Sequence, residues 1–287
     1  MSGQLRTIKT RIRSIESTKK ITRAMEMVSA AKLKRFQKLL DQTTPYARAL
    51  EKLLANILES SSSCHHPLLA EREEKQCALL VVTSDTGLCG SFNMDLIQET
   101  RRFIESRSKK PLLIGFGKAG INALSRDHHT WHTMVKDTKT TEVESAVQEI
   151  GLLMGALFRD QVVDAVYVTR AKFVTQSAHK TITEKILPFS VQKESEDPVR
   201  SLPYIFEPSP EFLFERLIPM IFEVKVREFF LESFIAEQTA RMGAMHLATQ
   251  NAGELIDSLT LTRNKIRQAA ITNELIEIVS GSKALKT

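Results

Sequence analysis

The chain has 287 residues, 42% hydrophobic and 26% charged, values ordinary for a soluble globular protein of one large or two modest domains. A formal net charge of +6 points to an acidic partner (nucleic acid, anionic membrane or acidic protein), while 6% aromatic residues is thin for stacking on bases. No apolar run approaches the ~20 residues that span a bilayer, and Met1-Ser2-Gly3-Gln4 leads straight into a basic helical pattern without a signal-peptide core, so the chain is expected to act in the compartment where it is made.

From about residue 4 to about residue 60 there is no glycine, and Pro45 is the only proline. Ile8, Ile12 and Ile15 recur at helical spacing, followed by Ile21, Met25 and Val28, then Leu33, Phe36 and Leu40. Ala47, Leu50, Leu54 and Ile57 resume the stripe after Pro45. At 1.5 Å per residue the stretch would reach ~80 Å as one helix, bent at Pro45. Its cations, Arg6, Lys9, Arg11, Arg13, Lys19, Lys20, Arg23, Lys32, Lys34 and Arg35, face few acids. A run of serines, residues 60–63, and then Pro67 end it.

The middle changes period. Cys77 to Thr83 is a short apolar, β-branched run that reads as a buried strand. The turn Asp85-Thr86-Gly87 and a helix from Asn93 to about Arg107 follow. Pro111 to Ile114 reads as a second strand, followed by a Gly-rich turn and another helix. A strand over Trp131 to Val135, a helix from Thr141 to Phe158 and a strand from Asp164 to Thr169 come next. A further strand near Lys172 to Gln176 and the Lys185 to Pro188 region complete a mostly parallel sheet.

Four prolines between Lys193 and Pro210 mark a linker, after which a second long helix is expected to run to about Val279, kinked early by Pro219. Its apolar residues keep a four–three spacing: Leu217, Ile221, Val224, Leu231, Ile235, Met242, Met245, Ala252, Ile256, Leu259, Ile266 and Ala270. Glu228, Gln238, Thr249, Arg263 and Asn273 fall on the same register, so the seam is imperfect. Sustained heptads argue for a left-handed coiled coil, and the N-terminal stripe is the partner the chain offers. If the two helices run antiparallel, the second outreaches the first, leaving Ile271, Leu275, Ile276 and Val279 in need of an external sleeve.

Several local patterns invite chemical readings. Gly115-Phe116-Gly117-Lys118-Ala119-Gly120 satisfies GxGxxG between a strand and a helix, with Asp137 at a plausible distance, which is a dinucleotide-binding hypothesis. It follows the second strand rather than the first, and tight turns with close helix–strand packing explain the glycines equally. Thr86 to Gly90 lacks the Gly-Lys-Ser/Thr ending of a phosphate loop and reads as a glycine-dependent turn. Cys64, Cys77 and Cys89 are an odd set without CxxC spacing, so reduced thiols are the simpler reading; Cys89 near a helix start is either packed or reactive. Cys64 with His65 and His66, and His128 and His129 with His132, lack finger spacing and read as solvated groups. The Met25, Met27, Met242 and Met245 group reads as coiled-coil core rather than an adaptable binding face. The basic stripe suits phosphates or an acidic protein.

Three blocks carry a specific likeness: Lys19-Lys20-Ile21-Thr22-Arg23-Ala24-Met25-Glu26-Met27-Val28-Ser29-Ala30; Ser84-Asp85-Thr86-Gly87-Leu88-Cys89-Gly90-Ser91-Phe92-Asn93; and a C-terminal block. The last includes Ala240-Arg241-Met242, Ala248-Thr249-Gln250-Asn251-Ala252, Asn264-Lys265, Arg267-Gln268-Ala269, and Ile271 through Glu274 on to Glu277-Ile278-Val279-Ser280-Gly281. Through them the chain resembles, over essentially its whole length, the gamma subunit of F-type ATP synthases, of bacterial type because the cysteine-bearing chloroplast insertion is not apparent. Ala236 stands where that family usually has serine.

The resemblance implies N- and C-terminal helices in an antiparallel coiled coil with an inserted Rossmann-like α/β domain, divided as 1–60, 61–208 and 209–287. It implies a central rotor stalk that turns inside a ring of alternating alpha and beta subunits and couples proton flow to ATP synthesis or hydrolysis on the beta subunits. The implied partners are alpha and beta subunits at three to three to one with this chain, an epsilon subunit and the membrane c-ring, with no nucleic acid and no direct membrane insertion. It further implies no catalytic site and no cofactor, and a peripheral place on the cytoplasmic face of the bacterial inner membrane. By the same resemblance Lys20, Arg23, Met25, Arg241, Gln268, Thr272, Glu274 and Glu277 face the alpha–beta ring, and Tyr204 and Glu207 face epsilon and the membrane ring.

Overall fold

A computed structural model describes residues 2–60, 66–138, 142–175, 178–189, 207 and 209–284. Two long helices are its largest elements: α1, Ser2–Ser60, and α5, Pro210–Ala284. Both continue through their prolines, Pro45 and Pro219. The expected linker, with Tyr204, lies outside the described residues apart from Glu207, which is exposed, and Ser209.

The chain forms two compact units, Met1–Ala30 with Arg241–Thr287, and Ala31–Ala240. These units divide both long helices, whereas the sequence segments 1–60, 61–208 and 209–287 divide the chain at the helix ends.

In the larger unit the expected alternation of strands and helices is present: β1 (Cys77–Val82), α2 (Phe92–Glu105), β2 (Leu112–Phe116), α3 (Lys118–Arg126), β3 (Trp131–Val135), α4 (Val143–Arg159), β4 (Ala165–Thr175) and β5 (Ala178–Leu187). The sheet order is β3-β2-β1-β4-β5, with β1 to β4 parallel and β5 antiparallel at the edge. The fully apolar β1 is central and buried on both faces, as a parallel strand covered by helices must be. One expectation needs correction. Where the sequence suggested two short strands around residues 164–176, β4 runs unbroken to Thr175, and β5 starts well before Lys185. The cations Arg170 and Lys172 hid this continuity: pairing with β5 carries the strand past them, and Ala171 between them packs into the apolar cluster with Phe92 and Leu96.

On one face of the sheet, Leu54 and Ile57 of α1, Ile150, Met154 and Phe158 of α4, and Phe214, Ile218, Ile221 and Phe230 of α5 share one core with Leu80, Ile114, Val166 and Val168. Phe36 of α1 meets Phe234 of α5 with ring centroids 5.2 Å apart. Arg170 of β4 is buried, ion-paired at 2.5 Å to both Glu184 of β5 and Glu232 of α5, and its guanidinium lies 4.4 Å from the Phe229 ring centre.

Candidate functional site

In the smaller unit, α1 and α5 run antiparallel. Glu26 meets His246 at 3.1 Å, the Thr249 hydroxyl donates to that of Thr22 at 2.8 Å, and the Lys19 ammonium lies over Gly253. Along the two helices partners move in opposite directions, one residue for one residue, as the heptad count requires.

The seam on α1 differs from the apolar stripe read from sequence. Thr22 and Ser29 are 9% and 2% exposed, whereas Ile21 and Val28 are 61% and 56% exposed. Met27 also lies outside, and Met25 is half-buried. The four–three count that starts at Ile8, Ile12 and Ile15 continues through Lys19, Thr22, Glu26, Ser29 and Leu33 without a break. Heptad continuity therefore outweighs local hydrophobicity here, because a helix that switched stripe would have to rotate away from its partner. Facing Thr22 and Lys19 on α5 are a threonine and a glycine, whose small size admits polar side chains at the contact. The consequence is an outward band of Ile21, Met27 and Val28 beside exposed Lys20 and Arg23.

Charge on this band is one-sided. All ten cations singled out on α1 are exposed, and among the described residues their one ion pair is Arg23 to Glu26 at 3.0 Å. Burial works against the charge of Glu26, but hydrogen bonds from His246 and Arg23 and their attraction outweigh it and hold its carboxyl below the usual glutamate range.

In the observed register Ser2 falls opposite about residue 270, so α5 continues past its partner to Ala284. Ile271, Leu275, Ile276 and Val279, the uncovered apolar tip anticipated from the heptads, are each at least 50% exposed, and Ile278 joins them. Gln268, Thr272 and Glu274 are exposed along the same end, with the Thr272 hydroxyl donating to the Gln268 carbonyl. The Glu277 backbone is helical; its side chain is outside the description. Arg241 differs from the other implied contact residues in being buried, at 7% exposure.

The α/β loops assign the glycine motif to packing. A Cβ on Gly117, at φ +92°, would lie 2.0 Å from the Thr83 carbonyl oxygen, and one on Gly120 would lie 2.7 Å from the Thr83 side chain. The Thr83 hydroxyl instead accepts the Gly120 N–H at 2.9 Å. At the α3 N-terminus, where a dinucleotide fold seats pyrophosphate, the Asp85 carboxylate accepts the N–H groups of Lys118, Asp137 and Thr138 at 2.9–3.1 Å. Asp137, the expected ribose ligand, is paired with Lys118 at 3.2 Å. Cys89 is buried, with the Asn93 amide donating to its sulfur at 3.2 Å, the packed alternative of the two readings. His66 caps the short 3₁₀ turn Pro67–Leu69 by accepting the Leu68 N–H, while Cys64 and His65 lie outside the described residues. Among the described residues no three His, Cys, Asp or Glu side chains gather as a metal site.

The family model described as ATP synthase matches residues 4–285. ATP synthase gamma chains from Fusobacterium nucleatum and Moorella thermoacetica are each 35% identical over 98% and 99% of this chain and 99% and 100% of their own lengths. That from Actinobacillus pleuropneumoniae is 36% identical over 97% of this chain and 98% of its own. The chain belongs to the ATP synthase gamma chain family. It is a subunit of that complex.

Solved structures share the gamma-chain fold. A chain of the Euglena gracilis mitochondrial ATP synthase aligns over 99% of this chain and 95% of its own, with a TM-score of 0.65 at 19% identity. A chain from the Tetrahymena thermophila mitochondrial central stalk and c-ring aligns over 79% and 99%, with a TM-score of 0.57 at 22% identity. No helix among the described residues is long and apolar enough to cross a membrane. What the sequence stripe missed, the outward Ile21, Met27 and Val28, was recoverable by carrying the heptad count through polar positions.

Proposed function

We propose that this chain is the rotor of a proton-translocating ATP synthase, turning within a ring of alternating alpha and beta subunits so that each orientation selects a different set of beta-subunit nucleotide states. The observation that carries this reading is the uncovered apolar tip of α5, residues 271–279, in a gamma-chain family member. An exposed apolar end of this kind needs a sleeve, and a ring of subunits supplies one. Contacts to that ring are assigned to Lys20, Arg23, Met25, Gln268, Thr272, Glu274 and Glu277, with Ile21, Met27 and Val28 added by their exposure. Arg241 joins them by orienting the α5 segment from within, since it is buried in the free chain. Tyr204 and Glu207 are assigned to an epsilon subunit and the membrane c-ring.

The chain carries no catalytic site and needs no cofactor in this reading: it acts by being bound differently by three beta conformations. The one-to-three-to-three stoichiometry follows from one rotor in one ring. The complex holds the chain as a peripheral subunit on the cytoplasmic face of the bacterial inner membrane. The test is reconstitution of membrane ATP synthase from its subunits with and without this chain. Proton-driven ATP synthesis is expected only with it, and full coupling in its absence would sink the reading. The alternative of a nicotinamide oxidoreductase is disfavoured by the Asp85 carboxylate at the α3 N-terminus.

A further inference from the structure

The β4–β5 pair outgrows the sheet to which it belongs. β1 pairs with β4 only from Ala165 to Thr169, yet β4 continues to Thr175 and keeps pairing with β5 to Ala178. Residues 170–175 and 178–182 therefore form a two-stranded arm beyond the last β1 partner. Within it Lys172 sits directly opposite Lys180. Cross-strand partners project on the same face, so two ammonium groups are held side by side, an arrangement that destabilises a ribbon.

The neighbouring cations show how unusual this pair is. Arg170, one step down the same strand face, is matched to Glu184 and Glu232, and Lys185 near the other end of β5 reaches Glu74. Lys172 and Lys180 are both exposed, and neither has an ion pair among the described residues. The paired positions that share their face, Arg170 and Ile182, supply no carboxylate to separate them. A neutral β-forming residue at either position would relieve the repulsion at no cost in packing, so the free chain bears a like-charge pairing, screened by solvent, that a carboxylate docked between the two would turn favourable.

We infer that the outer arm of the β4–β5 ribbon is a docking surface for an acidic peptide segment of a partner protein, with Lys172 and Lys180 as its cationic pair. Two ammonium groups across one strand spacing suit one or two carboxylates of an extended or loop segment. A nucleic-acid backbone or a bilayer would instead call for a broad basic field, and among the described residues this face carries two unpaired cations. The inference rests on the subunit reading above for the existence of partner proteins, and locates one contact outside the paired helices.

The experiment is zero-length carbodiimide cross-linking of the whole purified synthase, read by mass spectrometry, with acetylation of the same lysines compared in free chain and complex. Lys172 or Lys180 is expected to join an Asp or Glu of another subunit, and both are expected to lose acetylation several-fold on assembly. Lys180→Gln is expected to leave the melting temperature of the free chain equal or higher. The same variant should lose several-fold to the unsubstituted chain in competitive assembly at low salt, with the difference shrinking as salt is raised. Unchanged acetylation in the complex would overturn the inference, as would protection by phosphatidylglycerol vesicles but not by subunits. A chain that never enters the complex would overturn the subunit reading and this inference with it, whereas entry with both lysines still reactive would overturn this inference alone.

Discussion

Adjacent residues 28 and 29 of α1 offer a sharp test of the observed seam. Ser29 is 2% exposed between the helices and Val28 is 56% exposed. Ser29→Leu forces two extra heavy atoms and a branch into a contact built for a hydroxymethyl group, an overpacking cost of about 1–3 kcal/mol. Val28→Ser removes apolar surface that is already largely in water, so its effect should stay within about 0.5 kcal/mol. For a chain of this size, about 2 kcal/mol corresponds to a fall of roughly 4–8 °C in melting temperature. Circular dichroism melts of the free chain should therefore show a clear loss for Ser29→Leu and almost none for Val28→Ser. Assembly with alpha and beta subunits should invert part of that order, because Val28 belongs to the outward band offered to the ring. If Val28→Ser destabilised the free chain more than Ser29→Leu, the seam would lie where local hydrophobicity puts it, and the assigned contact band would be wrong.

Other outcomes follow from single sites. Gly117→Ala combines a left-handed backbone with a Cβ 2.0 Å from the Thr83 oxygen, so a loss of about 3 kcal/mol or more is expected in urea unfolding; a loss under about 1 kcal/mol would contradict the packing role. Glu228 is half-buried, and burial, aided by Glu51 and Glu232, raises its pKa against the pull of Lys225 and the Thr44 hydrogen bond. A carboxyl whose folded pKa is raised costs stability once pH exceeds its unfolded value, about 4.3, and the full cost is present above the folded value. Glu228→Gln should thus stabilise the chain at pH 7 and change little at pH 3.5, and equal effects at both would refute the assignment. Arg170→Leu leaves the carboxylates of Glu184 and Glu232 without their shared cation; since both are partly exposed, about 2 kcal/mol is expected rather than the full penalty of a buried pair. Adding Glu232→Gln should recover part of that loss in chemical denaturation, and strict additivity would mean the residues do not act together.

Much of the fold was legible because its signals are local. The glycine-free heptad run of α1, the apolar β1 and the four–three spacing of α5 each state their structure within one segment, and the exposed tip followed from the unequal lengths of the two stripes. The continuity of β4 was not legible, since Arg170 and Lys172 look like a strand end until β5 is seen to pair with them. The GxGxxG pattern was equally ambiguous. Nothing within residues 115–120 reveals that Thr83 fills the space above Gly117, or that Asp85, 33 residues before Lys118, caps the helix a phosphate would otherwise use.

The amino-acid pattern by itself determined that two long amphipathic helices flank an α/β segment, because periodicity is a property of neighbouring residues. Tertiary structure decided which side of α1 is the seam. Thr22 became buried because α5 presents Thr249 to it, and the same register that buries Ser29 set Ile21, Met27 and Val28 outward. Burial of a polar residue depends on the size and hydrogen bonds of a partner 227 positions away in the chain, a quantity no single helix encodes.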